Sequence, residues 1–301
     1  TMALRSMTEF RLRALGAVAL LALLLALPFA ARAETAPPAP ADALATAPAG
    51  TRALLEVLRM DEVLGVMRAE GEEYGRTIEA DMFPGQGGAG WAVKVQTIYD
   101  VPHMIDRFGG AFGTAVGQNP AAMAKALDFF SSDLGQRILT LEIEARRALL
   151  DDAVEDAAKL AWADLAADEG PRAALLRDFA ETNDLIESNV QGALNSNLAF
   201  FRGMAEGGAL GPEVVEDEML ANVWSQEEEV RRQTEDWLFP YLALAYEPLS
   251  DADLEAYTAF SASPEGQVLN AALFAAYAVL FEEISFALGG AVAIQLQGQD
   301  I

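Results

Sequence analysis

Two stretches of the chain set 131 residues apart, 119–152 and 250–283, align without a gap. Both carry the pattern F-x-x-S-x-x-G-Q, as Phe129, Ser132, Gly135 and Gln136 in the first and Phe260, Ser263, Gly266 and Gln267 in the second. Only seven of the 34 aligned pairs are identical, so the weight falls on helix punctuation rather than on identity. Asn119 and Ser250 stand at N-cap positions, where a side-chain oxygen accepts amides orphaned in the first helical turn. Ser132 and Ser263 cap the following helix in the same way, and Pro264 holds the favoured first helical position. A fainter echo, ALLEVL at 53–58 and ALLRDF at 174–179, places a longer helix at the start of each copy. The expectation is an all-α bundle of about eight helices in two related halves, 51–168 and 171–298, packed against each other.

Hydrophobic periodicity agrees. Met60, Val63, Leu64 and Met67 recur at i, i+3, i+4 and i+7, the stripe of a helix with one buried face. Leu134, Ile138, Leu141 and Ala145 form a second stripe, and Met219, Val223 and Val230 a third. No segment alternates polar and apolar residues with β-branched enrichment, so no sheet is expected. Helix breaks are expected at Pro84 and its glycines, Val101-Pro102, Asn119-Pro120, Gly170-Pro171, Gly207-Gly208 with Gly211-Pro212, Glu247-Pro248, Ser263-Pro264 and Gly289-Gly290.

The N-terminal residues read as an address. Arg5, Arg11 and Arg13 precede an apolar run from Leu15 to Ala30, followed by Ala31-Arg32-Ala33. These are the charged region, apolar region and small-residue cleavage site of a secretory signal peptide, 1–33. The apolar run is shorter than the roughly 20 residues that span a bilayer. Residues 34–50, rich in Pro and Ala, cannot bury enough surface to offset their ordering entropy and read as a tether. Export, to a periplasm or outside the cell, is the expected localisation. The chain has no Cys, so a fold in an oxidising compartment must be stable by burial alone. A net charge of −26 repels phosphate backbones and anionic head groups, so nucleic acid is not an expected partner.

The stretches FFSSDLGQRIL and, more closely, PLSDADLEAYTAFSASPEGQVLN resemble the signature of the bacterial family catalogued as domain of unknown function 2059. The clearer resemblance covers about 249–281 and a fainter one about 119–149. The first copy departs from the second where Asp133-Leu134 replaces Pro264-Glu265. The resemblance implies an exported, mostly helical protein and brings no activity, cofactor or catalytic residue with it.

Each remaining motif has a structural reading. GQGGAG, 85–90, fits a dinucleotide-binding fingerprint, but a helix end closed by Pro84 stands where that fold needs a strand, so it reads as an interhelical linker. His103 is the single histidine, which excludes sites needing two imidazoles and leaves a helix-start residue. Asp251, Asp253 and Glu255 alternate like the start of a calcium loop, but Ala256 and Ala262 occupy the positions that need Gly and Glu. They read as first-turn acids that complement the helix dipole. Glu282-Glu283 interrupt the most apolar helix, and the repeat puts Asp151-Asp152 at the equivalent places. Carboxylates facing each other there would bind a metal or share a proton. Otherwise each pair marks where its helix emerges into solvent. The apolar run Val268 to Phe281, with Asn270 inside it, is too short for a membrane span and reads as a buried central helix.

No nucleophile elbow, phosphate loop or zinc motif is present, and no catalytic residue, metal ligand or cofactor is assigned. The expected function is non-enzymatic binding of a protein partner or an apolar small molecule. Phe200, Trp237, Tyr241, Tyr246 and Phe260 are candidate ligand-binding residues, with Phe201 and Phe239 as further candidate walls. The alternatives are a metal- or carboxylate-dependent hydrolase and a membrane-peripheral protein.

Overall fold

The computed structural model describes Ala47 and residues 50–117, 119–210 and 214–298. The expected signal segment, all of the expected tether but Ala47 and Gly50, and the expected Gly211-Pro212 break lie outside the described residues. Among the described residues there are thirteen helices and no strand. The helices are α1 (Thr51–Val57), α2 (Met60–Met82), α3 (Gly88–Ile98), α4 (Val101–Val116), α5 (Pro120–Phe130), α6 (Asp133–Ala148), α7 (Asp152–Ala167), α8 (Pro171–Thr182), α9 (Leu185–Glu206), α10 (Glu216–Trp224), α11 (Glu227–Tyr246), α12 (Asp251–Ala262) and α13 (Pro264–Gln297). The sequence pattern merges several of these into about eight because short breaks leave little trace. Arg59 and Asp184, both left-handed with φ of 55° and 48°, separate α1 from α2 and α8 from α9 without a Gly or Pro. The echo at 53–58 therefore falls on a seven-residue helix and its C-cap rather than on a long helix. Likewise Ser225 and Gln226 divide the stripe of Met219, Val223 and Val230 between α10 and α11.

The cap residues act as their chemistry dictates. Ser132 accepts from Gly135 N at 3.1 Å, and Ser263 from Gly266 N at 3.0 Å. Asn119 accepts from Ala122 N, and Ser250 forms a capping box with Asp253. A Cβ on Gly135 would lie 2.3 Å from Phe129 O, and one on Gly266 would lie 2.1 Å from Phe260 O. Gln136 donates to the Phe130 and Val57 carbonyls, and Gln267 to those of Ser261 and Thr182. Each glutamine thus ties a tight interhelical turn to the end of a helix far away in sequence.

Helix α13 is the axis of the bundle. It packs most extensively on α9 and then α4, with α5, α12 and α3 also against it. Apolar residues cover all its faces, the composition of a buried helix. Gly289-Gly290, expected as a break, lie inside it. A Cβ on Gly289 would come 2.0 Å from Phe200 O, and one on Gly203 would come 2.1 Å from Phe286 O. The glycines let two backbones touch, and because the helix is packed around them their low helix propensity does not end it. The run 268–281 is thus part of a 34-residue helix, the one among the described residues long and apolar enough to cross a membrane, with 56% of its most apolar window buried in the bundle.

Candidate functional site

The stripe on α6 brings more than apolar residues into the core. Ile138 and Leu139 are buried there, and so are Glu142 and Arg146, one and two turns further on. Both guanidinium nitrogens Nε and Nη2 of Arg146 donate to the carboxylate of Glu70 on α2, each at 2.5 Å. A bidentate pair of this kind is among the stronger polar contacts a protein makes. Burial still pushes the Glu70 carboxyl above its usual range, with Arg146 pulling it down.

Glu142 has no such cation. Its Oε1 accepts from the Tyr246 hydroxyl at 2.6 Å, and the Tyr241 hydroxyl donates to its main-chain carbonyl at 3.3 Å. Burial raises its side-chain carboxyl to about 7, against the opposing pull of the Tyr246 and Tyr257 phenols. The Tyr257 hydroxyl, buried beside it, falls outside hydrogen-bond geometry. The phenols of Tyr241 and Tyr246 are themselves held well above the usual tyrosine value by burial and by the nearby Glu142 charge.

Glu142 and Arg146 form one wall of a cavity of about 60 Å³ that opens partly to solvent. Leu58, Met60, Val63 and Val66 come from the α1–α2 corner, Leu139 and Ile143 from α6, Tyr241 from α11, and Leu273 and Tyr277 from α13. The volume has room for several water molecules or a small organic group. The lining is apolar apart from the acid, the arginine and two phenols, the usual make-up of a small-molecule site.

Of the candidate aromatic residues, the structure brings Tyr241 and Tyr246 to this place, with Trp237 stacked on Tyr241 at 4.9 Å. Phe260 instead stacks on Phe129 at 4.1 Å, and Phe239 on Trp162. Phe200 sits at the α9–α13 crossing, and Phe201 packs in a second apolar cluster with Met219 and Val223. None of these four lines the cavity.

The other motifs resolve locally. Asp151 caps α7 by accepting from Ala153 N at 2.9 Å, and Asp152 lies exposed in its first turn. Glu283 pairs with Arg107 and, at 2.7 Å, with His103 of α4, so the two carboxylate pairs do not meet. The backbone amide of His103 is also the one that Asp100 caps. The Glu79 carboxylate accepts from Gly87 N and Gly88 N at 3.0 and 3.3 Å, and Gly88–Gly90 open α3 instead of extending the linker. Asp251 pairs with Arg172 at 2.8 Å. Among the described residues no group of three or more His, Asp or Glu is placed to hold a metal ion.

Glu70, Glu142 and Arg146 were not legible as site residues, since a charged pair four residues apart on a helix reads as a solvated face. One signal did exist. The gap-free alignment of 119–152 with 250–283 sets Glu142 against Leu273 and Arg146 against Tyr277, apolar and aromatic residues that mark those positions as interior.

Residues 119–162, spanning α5, α6 and most of α7, match the family described as an uncharacterized protein conserved in bacteria (DUF2059). The match contains the Ser132 cap, Gly135, Gln136, Glu142 and Arg146. It falls on the segment whose resemblance to the family motif is the fainter of the two. Neither curated proteins nor solved structures gave a significant match.

Proposed function

We propose that this is an exported, non-enzymatic helical protein that holds a small, largely apolar molecule in the cavity beside Glu142. One observation carries the reading: an apolar, partly open cavity in the core, with a buried acid on its wall. Protein interiors are close-packed, and voids of this size are few. The enclosed shape favours a small molecule over a protein partner. Export rests on the sequence of residues 1–33.

The same proposal includes an origin by duplication of a six-helix unit, α1–α6 and α8–α13, with α7 as the connector. Its support is the paired joints at Ser132 and Ser263, the paired left-handed residues Arg59 and Asp184, and Phe129 stacked on its own counterpart Phe260. A residue that touches its own equivalent is the mark of a twofold relation. The cavity lies on the same relation, since Glu142 and Arg146 share its lining with their counterparts Leu273 and Tyr277.

Native mass spectrometry of protein purified under mild conditions from the cells that make it tests the binding. A retained small molecule is expected, absent from a Val63→Trp variant in which the indole fills the cavity. Bare-chain masses in repeated preparations would overturn the reading.

A further inference from the structure

We infer that the ligand is a small protonated amine with an apolar substituent, its ammonium group placed against the Glu142 carboxylate. This rests on the binding role proposed for the cavity and goes on to name the chemistry of its occupant. The charges around the cavity do not balance. A buried ion is costly unless paired, and a carboxylate offers about four acceptor positions on its two oxygens. Within the chain Glu142 has one hydrogen bond of good geometry to its side chain, from Tyr246. The nearest guanidinium on the same helix face, Arg146, is already bound through Nε and Nη2 to Glu70. Glu70 and Arg146 cancel, so an ionised Glu142 leaves the cavity wall one negative charge in excess.

The surroundings suit a cation and disfavour an anion. The charged and titratable groups around Glu142 are Arg146 on its own helix, Glu70 of α2, Tyr241 and Tyr246 of α11, Tyr257 of α12 and Tyr277 of α13. Only Arg146 is cationic. Tyr241 and Tyr277 put aromatic rings into the lining, and such rings attract ammonium groups. Leu58, Val63, Leu139 and Leu273 surround the remaining volume, where only an apolar substituent is accommodated without loss. On the larger scale, a net charge of −26 concentrates cations at the surface.

Binding an ammonium to ionised Glu142 is linked to loss of its proton. With the free carboxyl at about 7, a tenfold gain in affinity is expected between pH 6 and pH 8. An amine that stays charged throughout that range makes the dependence a property of the protein.

The experiment is calorimetric titration of the full chain with ethylamine, ethanol and acetate, probes small enough for a cavity of about 60 Å³, at pH 6 and 8, on the wild type and Glu142→Gln. Ethylamine is expected to bind at least tenfold tighter than the alcohol at pH 8, acetate weakest. Glu142→Gln should erase the amine preference and its pH dependence while still binding the alcohol, which shows that the cavity is intact. If alcohol and amine bind alike in the wild type, or acetate binds tightest, the amine assignment is overturned and the cavity reading stands. If none of the three binds, both fall.

Discussion

The segments 119–152 and 250–283 share a joint and differ beyond it. At the joint the cap serine, the glycine pressed on a carbonyl and the glutamine tied to a distant helix end recur contact for contact. Further along, the first segment puts Glu142 and Arg146 into the core, and the second puts Leu273 and Tyr277 there. The exchange also runs the other way. Asn270 reaches Asn183 at 3.4 Å in the second half, while the aligned Leu139 lines the cavity together with Leu58 in the first. Geometry of the joint is what both segments need to fold. The polar groups after it are free to differ, so that is where a function peculiar to one half would reside.

Breaking the ion pair between Glu70 and Arg146 should have the largest effect. Arg146→Ala leaves the largely enclosed Glu70 carboxylate, 16% exposed, unpaired, an expected loss of about 3 kcal/mol in denaturant unfolding. Replacing both partners, Glu70→Met with Arg146→Met, should recover most of that loss, because an apolar pair of similar volume removes the desolvation penalty.

The next effect is pH-dependent. The folded chain holds the Glu142 carboxyl near 7, above its ordinary value near 4.5, so in that interval the native state binds more protons than the unfolded state. Stability from this group is therefore whole below about pH 4.5 and declines as pH rises to about 7, where the penalty levels off. Glu142→Gln, which still offers an acceptor to Tyr246, should remove that decline. At pH 8 it should be more stable than the wild type by on the order of 3 kcal/mol, read from urea midpoints at pH 5 and 8.

Changes at the shared joint should be smaller and should match between the halves. Gly135→Ala and Gly266→Ala each force a methyl against a carbonyl, with an expected loss of about 1–3 kcal/mol apiece. Ser132→Ala and Ser263→Ala remove equivalent N-caps and should each cost about 1 kcal/mol. A large disparity within either pair would argue against a common joint.

How far the sequence reached depends on the range of the interactions. The caps at Asn119, Ser132, Ser250 and Ser263 were legible because a side chain and an amide three residues away settle them. The all-helical class was legible for the same local reason. Gly289-Gly290 misled because glycine breaks helices on average, whereas here tight contact with Phe200 holds the helix together. The site stayed hidden because its partners are remote: Tyr246 lies 104 residues from Glu142, and Glu70 lies 76 from Arg146. The aromatic side chains were half legible, since composition identified Tyr241 and Tyr246 but gave no ground for separating them from Phe200 and Phe260.

At the centre stands one carboxyl group, buried beside a cavity without a cation of its own. A carbon-13 NMR titration of the Glu142 side chain, assigned by its loss in Glu142→Gln, measures that state directly. A midpoint near 7 is predicted. A midpoint near 4.5, the value of an ordinary solvated glutamate, would contradict it.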